Sequence, residues 1–269
     1  MPTDFAVSLR RFLTSHLAGL SGCSPNTVVS YRDTFKLLIC YFRDERSIAP
    51  EKLTLELIDA SAISGFLQWL GTTRHNSAST TNQRLAAIGS FFTWVQSEDP
   101  ARMACCQDIL AIPAKRHDRP AVAHLTVEQT RQLLTLPDRS TRAGRRDATV
   151  LATLYDTAAR VQELADLTVR DIRLDAPAMA ALTGKGRKTR HVPLDANTGA
   201  LLAAYLAERH LDGPGRDGHP VFFNQHRTKL SRGGIAWILH KYQAQATDPA
   251  LATARLSPHV LRHSRAMHL

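Results

Sequence analysis

The stretch IRLDAPAMAALTGKGRKTRHVP, residues 172–193, is where the chain changes its period. Within it Ile172 to Leu174, Ala178 to Thr183 and Lys188 to Pro193 read as short strands. The last two are joined by a turn at Gly184 to Arg187, where glycine can take positive φ. A small antiparallel sheet is therefore predicted, set among helices. On its N-terminal side Thr126 and Gln129 are spaced as a capping box ahead of Leu133 and Leu134. Asp147 to Tyr155 keeps a helical face through Val150, Leu151 and Leu154, and a short helix is predicted over Arg160 to Leu167. On its C-terminal side helices are predicted for Thr198 to Arg209, after Ser231, and after Ser257-Pro258.

Further out, the first hundred residues read as helices with polar joints. Phe5, Leu9, Phe12, Leu13 and Leu17 keep helical spacing until Gly19 and Gly22. Ser24 followed by Pro25 has the form of an N-cap with proline at the first helical position, and Val28, Tyr31, Phe35, Leu38, Ile39 and Phe42 continue one apolar face. Two more helices are predicted from about Ser61 to Leu70 and from Ser79 to Val95. The segment IPAKRHDRPAVA, 112–123, has two prolines and no period, which marks a linker. The fold class is thus mainly α, with a small antiparallel sheet in the second domain. The expected boundaries are a helical domain over 1–112, a linker over 113–123 and a second domain over 124–269.

At 269 residues and 43% apolar, the chain can bury two ordinary cores. It holds no run approaching the ~18 apolar residues of a membrane span and opens without a basic flank and apolar stretch, so a cytoplasmic protein without membrane attachment is expected. Cys23, Cys40, Cys105 and Cys106 lack zinc-site spacing and read as reduced, buried thiols. The net charge of +10 is unevenly spread: residues 1–112 hold 10 basic and 10 acidic side chains, residues 113–269 hold 24 and 14. A basic excess confined to one half points to a polyanion, most commonly nucleic acid, although compositional drift gives the same count.

Three segments of that half carry groups suited to phosphate. In YDTAARVQELADL, Arg160 begins a helix and Glu163 lies one turn on, so the carboxylate can aim the guanidinium. In TGKGRKTRHVPL, Lys185 sits at the tip of the hairpin, and in SPHVLRHSRAMHL, His259 and Arg262 project together from a capped helix. Arginine, lysine and histidine without a carboxylate cluster suit phosphate chemistry with no metal. Singly, each has a plainer reading: a surface ion pair for Arg160 and Glu163, a solvated lysine for Lys185. His259 and His263 have zinc spacing but no third ligand, and the GKG turn is no P-loop, because position 179 is Met and Gly186 follows the lysine. Neither a metal nor a nucleotide cofactor is expected.

In order, Arg-x-x-Glu-Leu at 160–164, the GKG hairpin and His-x-x-Arg-His at 259–263 closely resemble the tyrosine recombinase (phage integrase, Xer-like) family. The helical, charge-neutral first half resembles that family's core-binding domain. The resemblance implies a site-specific recombinase or integrase whose two domains clamp double-stranded DNA, with homo-oligomers on DNA. Strands are cut and rejoined through a 3′-phosphotyrosyl link, leaving a free 5′ hydroxyl. It implies that Arg160 and Arg262 hold the nonbridging oxygens, that Lys185 protonates the leaving 5′ oxygen, and that His259 bonds the phosphate or accepts the nucleophile's proton. Glu163 would orient Arg160, and His263 would pack beneath the site. Ala158 stands where the family often has glycine. In the first domain the expected DNA-facing groups are Asn26, Thr27, Tyr31 and Arg32, and Ser79, Thr80, Asn82 and Arg84, at two helix starts where amides favour phosphate, although half of them could be caps.

The five tyrosines, at 31, 41, 155, 205 and 242, all precede Arg262 and each fits a helix. The sequence reading therefore expects a recombinase that stops short of its nucleophile, one that binds DNA but does not cleave it alone. A non-catalytic DNA-binding regulator or competitor is the alternative, and a basic helical module with no nucleic-acid role is a third.

Overall fold

The structure, a computed structural model, describes residues 1–20, 23–116 and 123–269, apart from the side chains of Ala18, Leu20 and Lys185. The chain divides into two compact units, Met1–Arg119 and Pro120–Leu269. The linker expected over 113–123 lies partly outside the described residues.

The first unit is helical. Helix α1 (Asp4–Arg11) is capped by Thr3 and continues as a wider π-helical segment over Phe12–Leu20. Helix α2 (Pro25–Arg46) starts as its sequence predicts, with the Ser24 hydroxyl accepting from the Thr27 amide and Pro25 in the first turn. Helix α3 (Ala60–Thr72) is capped by Asp59 and α4 (Ala78–Glu98) by Ser77, ahead of the short α5 (Met103–Leu110). Interlocked aromatic rings fill the core: Phe91 lies edge-on to Phe12 and Phe35, with centroids 5.2 and 5.0 Å apart. The thiols depart in part from expectation. Cys106 is buried, but Cys23, Cys40 and Cys105 are only half-buried, and all four are free.

The second unit sets a three-stranded sheet beside a helical core. Helix α6 (Val127–Thr135) opens with the predicted capping box of Thr126 and Gln129. Helix α7 (Arg142–Asp156) and α8 (Val161–Asp166) follow. The strands are β1 (Ile172–Arg173), β2 (Met179–Thr183) and β3 (Thr189–Pro193), antiparallel in that order, with Leu182 opposite Arg190. Each is a residue shorter than its sequence suggests. Helices α9 (Ala196–Glu208), α10 (Arg232–Gln243), α11 (Pro249–Thr253) and α12 (Pro258–Met267) complete the unit. Val150, Leu151, Leu154, Leu164, Leu182, Ile238 and Leu261 meet in one core, which fixes α7, α8, the sheet and α12 against one another. Among the described residues no helix is long and apolar enough to cross a membrane.

Candidate active site

The centre of the site is a carboxylate. Glu163, in the first turn of α8, is 3% exposed, and one oxygen accepts from the Arg160 amide at 2.8 Å while the other accepts from the Arg160 guanidinium at 2.8 Å. The Arg160 side chain is thereby folded over its own helix start. From β3, Arg190 reaches the same carboxylate with two N–H groups, at 3.0 and 2.7 Å. From α12, Arg262 lies 3.8 Å from it and donates to the Ala158 carbonyl at 2.8 Å. Burial pushes the Glu163 carboxyl up, but the hydrogen bonds from Arg190 and from the backbone and side chain of Arg160 outweigh it and bring it down to about 2. Burial, and then the charge of Arg160, holds the Arg262 guanidinium below the usual arginine range. Three guanidinium groups on one carboxylate leave two positive charges unmatched, at side chains 52%, 38% and 29% exposed. Such a cluster is prepared for an anion with several oxygens.

The hairpin reaches this cluster through its glycine. A Cβ added at Gly184 would lie 2.8 Å from a Glu163 carboxylate oxygen and 3.4 Å from the Arg160 guanidinium, so only glycine lets the β2–β3 turn approach so closely. Lys185 follows at once, in the tight turn Lys185–Arg187 that Gly186 closes with φ +76°. Its backbone is therefore adjacent to the cluster; its side chain lies outside the described residues.

Helix α12 is anchored just beyond Arg262. Arg265 donates to Asp156 at 3.1 Å, tying α12 to the end of α7, and the Ser264 hydroxyl accepts from the Leu125 amide at 2.8 Å. His268 Nε2 donates to the Leu125 carbonyl at 2.9 Å, which leaves Nδ1 to accept from the Tyr155 hydroxyl at 2.8 Å. His259 sits exposed in the first turn of the same helix, one turn before Arg262. His263 corrects an expectation. It is exposed rather than packed beneath the site, because Leu261 and Ser264 form the buried face and His263 shares the outward face of His259. The histidine that packs inward is His268, one turn beyond Ser264.

Of the tyrosines in this unit, Tyr155 is bonded to His268, Tyr242 donates to Asp147 at 3.0 Å, and Tyr205 is buried, which pushes its hydroxyl up to about 12. Sequence reasoning missed Arg190. The available signal was strand alternation, which puts Arg190 on the same inward face as Val192.

In the first unit the expected DNA-facing residues divide. Asn26, Arg32 and Ser79 are exposed at the starts of α2 and α4. The Thr27 and Thr80 hydroxyls bond those of the caps Ser24 and Ser77, at 2.8 and 3.0 Å. Tyr31 packs on Phe12, with centroids 6.1 Å apart. Asn82 exchanges two hydrogen bonds of 2.8 Å with the Lys115 backbone, and Arg84 donates to the Ser30 carbonyl and the Thr34 hydroxyl at 3.0 Å, stapling α4 to α2.

Both regions of the chain are similar to known proteins. The phage integrase family profile matches residues 123–269, and the N-terminal SAM-like domain of phage integrases matches residues 9–99. The chain is 35% identical to y4rD of Sinorhizobium fredii, described as an integrase/recombinase, over 95% of this chain and 91% of that one. It is 30% identical to the tyrosine recombinase XerC of Pelobacter propionicus, over 94% and 79% of the two chains. A lambda integrase dimer bound to a COC′ core site shares the fold, with a TM-score of 0.68 and 16% identity over 97% of this chain and 88% of that one. With the family's two regions matched in order along its length, this chain belongs to the tyrosine recombinase (phage integrase) family.

Proposed function

We propose that this protein binds duplex DNA and holds one backbone phosphate between Arg160 and Arg262 for strand cleavage and rejoining. The observation that carries the reading is the convergence of Arg160, Arg190 and Arg262 on the buried Glu163. A phosphodiester gains a negative charge as a nucleophile adds, and preset guanidinium forks stabilise that charge more than the ground state. Glu163 positions the forks. Lys185, whose backbone follows Gly184, serves the leaving 5′ oxygen, and exposed His259 serves the phosphate or the attacking hydroxyl. That hydroxyl belongs to a tyrosine other than Tyr155, Tyr205 and Tyr242, each of which is bonded or buried elsewhere. The exposed Asn26, Arg32 and Ser79 add backbone contacts from the first unit, and more than one copy assembles on DNA, as in the lambda integrase dimer.

The deciding experiment reads two quantities on R160A and R262A. One is duplex affinity across a salt series. The other is covalent capture of a nicked duplex by the chain with a tyrosine-bearing C-terminal helix appended. A recombinase loses capture by about 10²–10³-fold in either variant while its salt slope changes by about one. A DNA-binding regulator gives no capture at all, and capture indifferent to both arginines overturns the phosphate assignment.

A further inference from the structure

A second cationic site lies at the other end of α7, about 22 Å from the Glu163 end of this 15-residue helix. There a cavity of about 200 Å³ is lined by Arg142, Arg209, His210, Arg216, His219 and Arg227. Among the described residues no carboxylate lines it, and the neighbouring Glu208 is engaged by Arg145 at 2.8 Å and by Arg142 at 3.4 Å. Arg209 is held rigidly, its guanidinium 5.3 Å from the Tyr205 ring and 5.5 Å from the Phe223 ring, with one N–H on the Arg142 carbonyl at 3.3 Å. Its Nε is buried and has no hydrogen-bond partner. Burial, with Arg142 nearby, keeps this guanidinium below the usual arginine range. A half-buried cation among like charges is unfavourable until an anion joins it. Two wall residues are also strained: His210 and Arg227 take φ of +56° and +57°, where glycine would be cheaper, and what they contribute in glycine's place is cationic and hydrogen-bonding capacity.

We propose that this cavity is a second anion site, separate from the Glu163 cluster, that holds a phosphate group. The inference goes beyond the strand-cleavage reading and does not rest on it. Two sources share the chemistry: the backbone of bound DNA, and a free phosphate ester or polyphosphate.

The test uses the exposed Arg142 and Arg227, whose replacement leaves the core intact. Tripolyphosphate is titrated by calorimetry into the full chain carrying R160A and R262A, so that the Glu163 cluster does not contribute. Saturable binding is expected, and adding R142Q and R227Q weakens it by at least about tenfold, since charge-assisted hydrogen bonds are lost. R142Q and R227Q in an otherwise unaltered chain are then read on duplex DNA. A salt slope shallower by about two assigns the site to backbone phosphate, and an unchanged slope assigns it to a free phosphate-bearing ligand. Tripolyphosphate binding that is absent, or indifferent to R142Q and R227Q, overturns the proposal. Loss of DNA affinity in R160A and R262A alone bears only on the strand-cleavage reading.

Discussion

Two buried carboxylates in the second unit, Asp147 on α7 and Glu163 on α8, gather cations from distant parts of the chain, and they differ in what is left over. Asp147 is fully buried; Arg146 donates to one oxygen at 2.9 and 2.7 Å, and Lys241 and Tyr242 donate to the other at 3.1 and 3.0 Å. Its ion-pair partners are themselves largely covered, at 15% and 32% exposure. That cluster is a joint between α7 and α10. Around Glu163 three arginines share one carboxylate, and Arg160 stays half exposed. A buried carboxylate therefore does not by itself mark a functional site. What sets the Glu163 cluster apart is the larger surplus of positive charge and the exposure of Arg160 to solvent.

The largest expected effect breaks the comparison on the Asp147 side. D147N leaves Lys241 and Arg146 without their counter-charge in the core, which costs about 3–5 kcal/mol of stability in urea unfolding at neutral pH. Duplex affinity of the folded fraction stays unchanged. If D147N were instead neutral in stability and impaired DNA binding, the assignment of the two clusters would be reversed.

Acid titration sharpens the comparison on the Glu163 side. The carboxyl falls from an ordinary 4.5 to about 2 in the folded protein, so its contribution is fully present above about 4.5 and is lost as pH falls through about 2. The amount is about 3 kcal/mol, taken as the difference between wild type and E163Q in unfolding from neutral to about pH 2. R190Q removes the strongest of the contacts that lower this carboxyl, so its loss begins at higher pH and its size shrinks. A difference between wild type and E163Q that does not change with pH would mean that the arginines do not hold the carboxylate ionised.

The pair Arg160 and Glu163 was legible in the sequence because three-residue spacing on a helix start fixes two side chains on one face. The sheet was legible from its change of period. Arg190 was not singled out, since its place depends on strand register and on how closely Gly184 lets the hairpin approach, neither of which is local. For His263 the local signal existed: four residues from His259 means the same face, which is exposed. Helices α5 and α11, of 8 and 5 residues, are too short for periodicity to declare them, and tertiary packing of Cys106, Ile109 and Leu251 holds them. Arg84 read as DNA-facing from its position near a helix start, but side-chain length lets it reach back across the bundle to Ser30 and Thr34.

The smallest expected effect concerns the backbone between α7 and α8. Ala158 takes φ +45°, in the left-handed region, and its carbonyl accepts from Arg262. Side-chain residues pay about 1–2 kcal/mol for that conformation. Glycine would relieve it but loses about 0.5–1 kcal/mol through the greater freedom of the unfolded chain. A158G is therefore expected to raise stability by about 0.5 kcal/mol in denaturant unfolding, with no gain in duplex affinity, because the carbonyl that steadies Arg262 becomes freer to turn. The strain belongs to the turn that presents Arg160 and Arg262, whereas Asp147 lies within regular helix. Should A158G instead lower stability, the left-handed turn would be held by its neighbours at no cost, and the two carboxylate clusters would differ in charge alone.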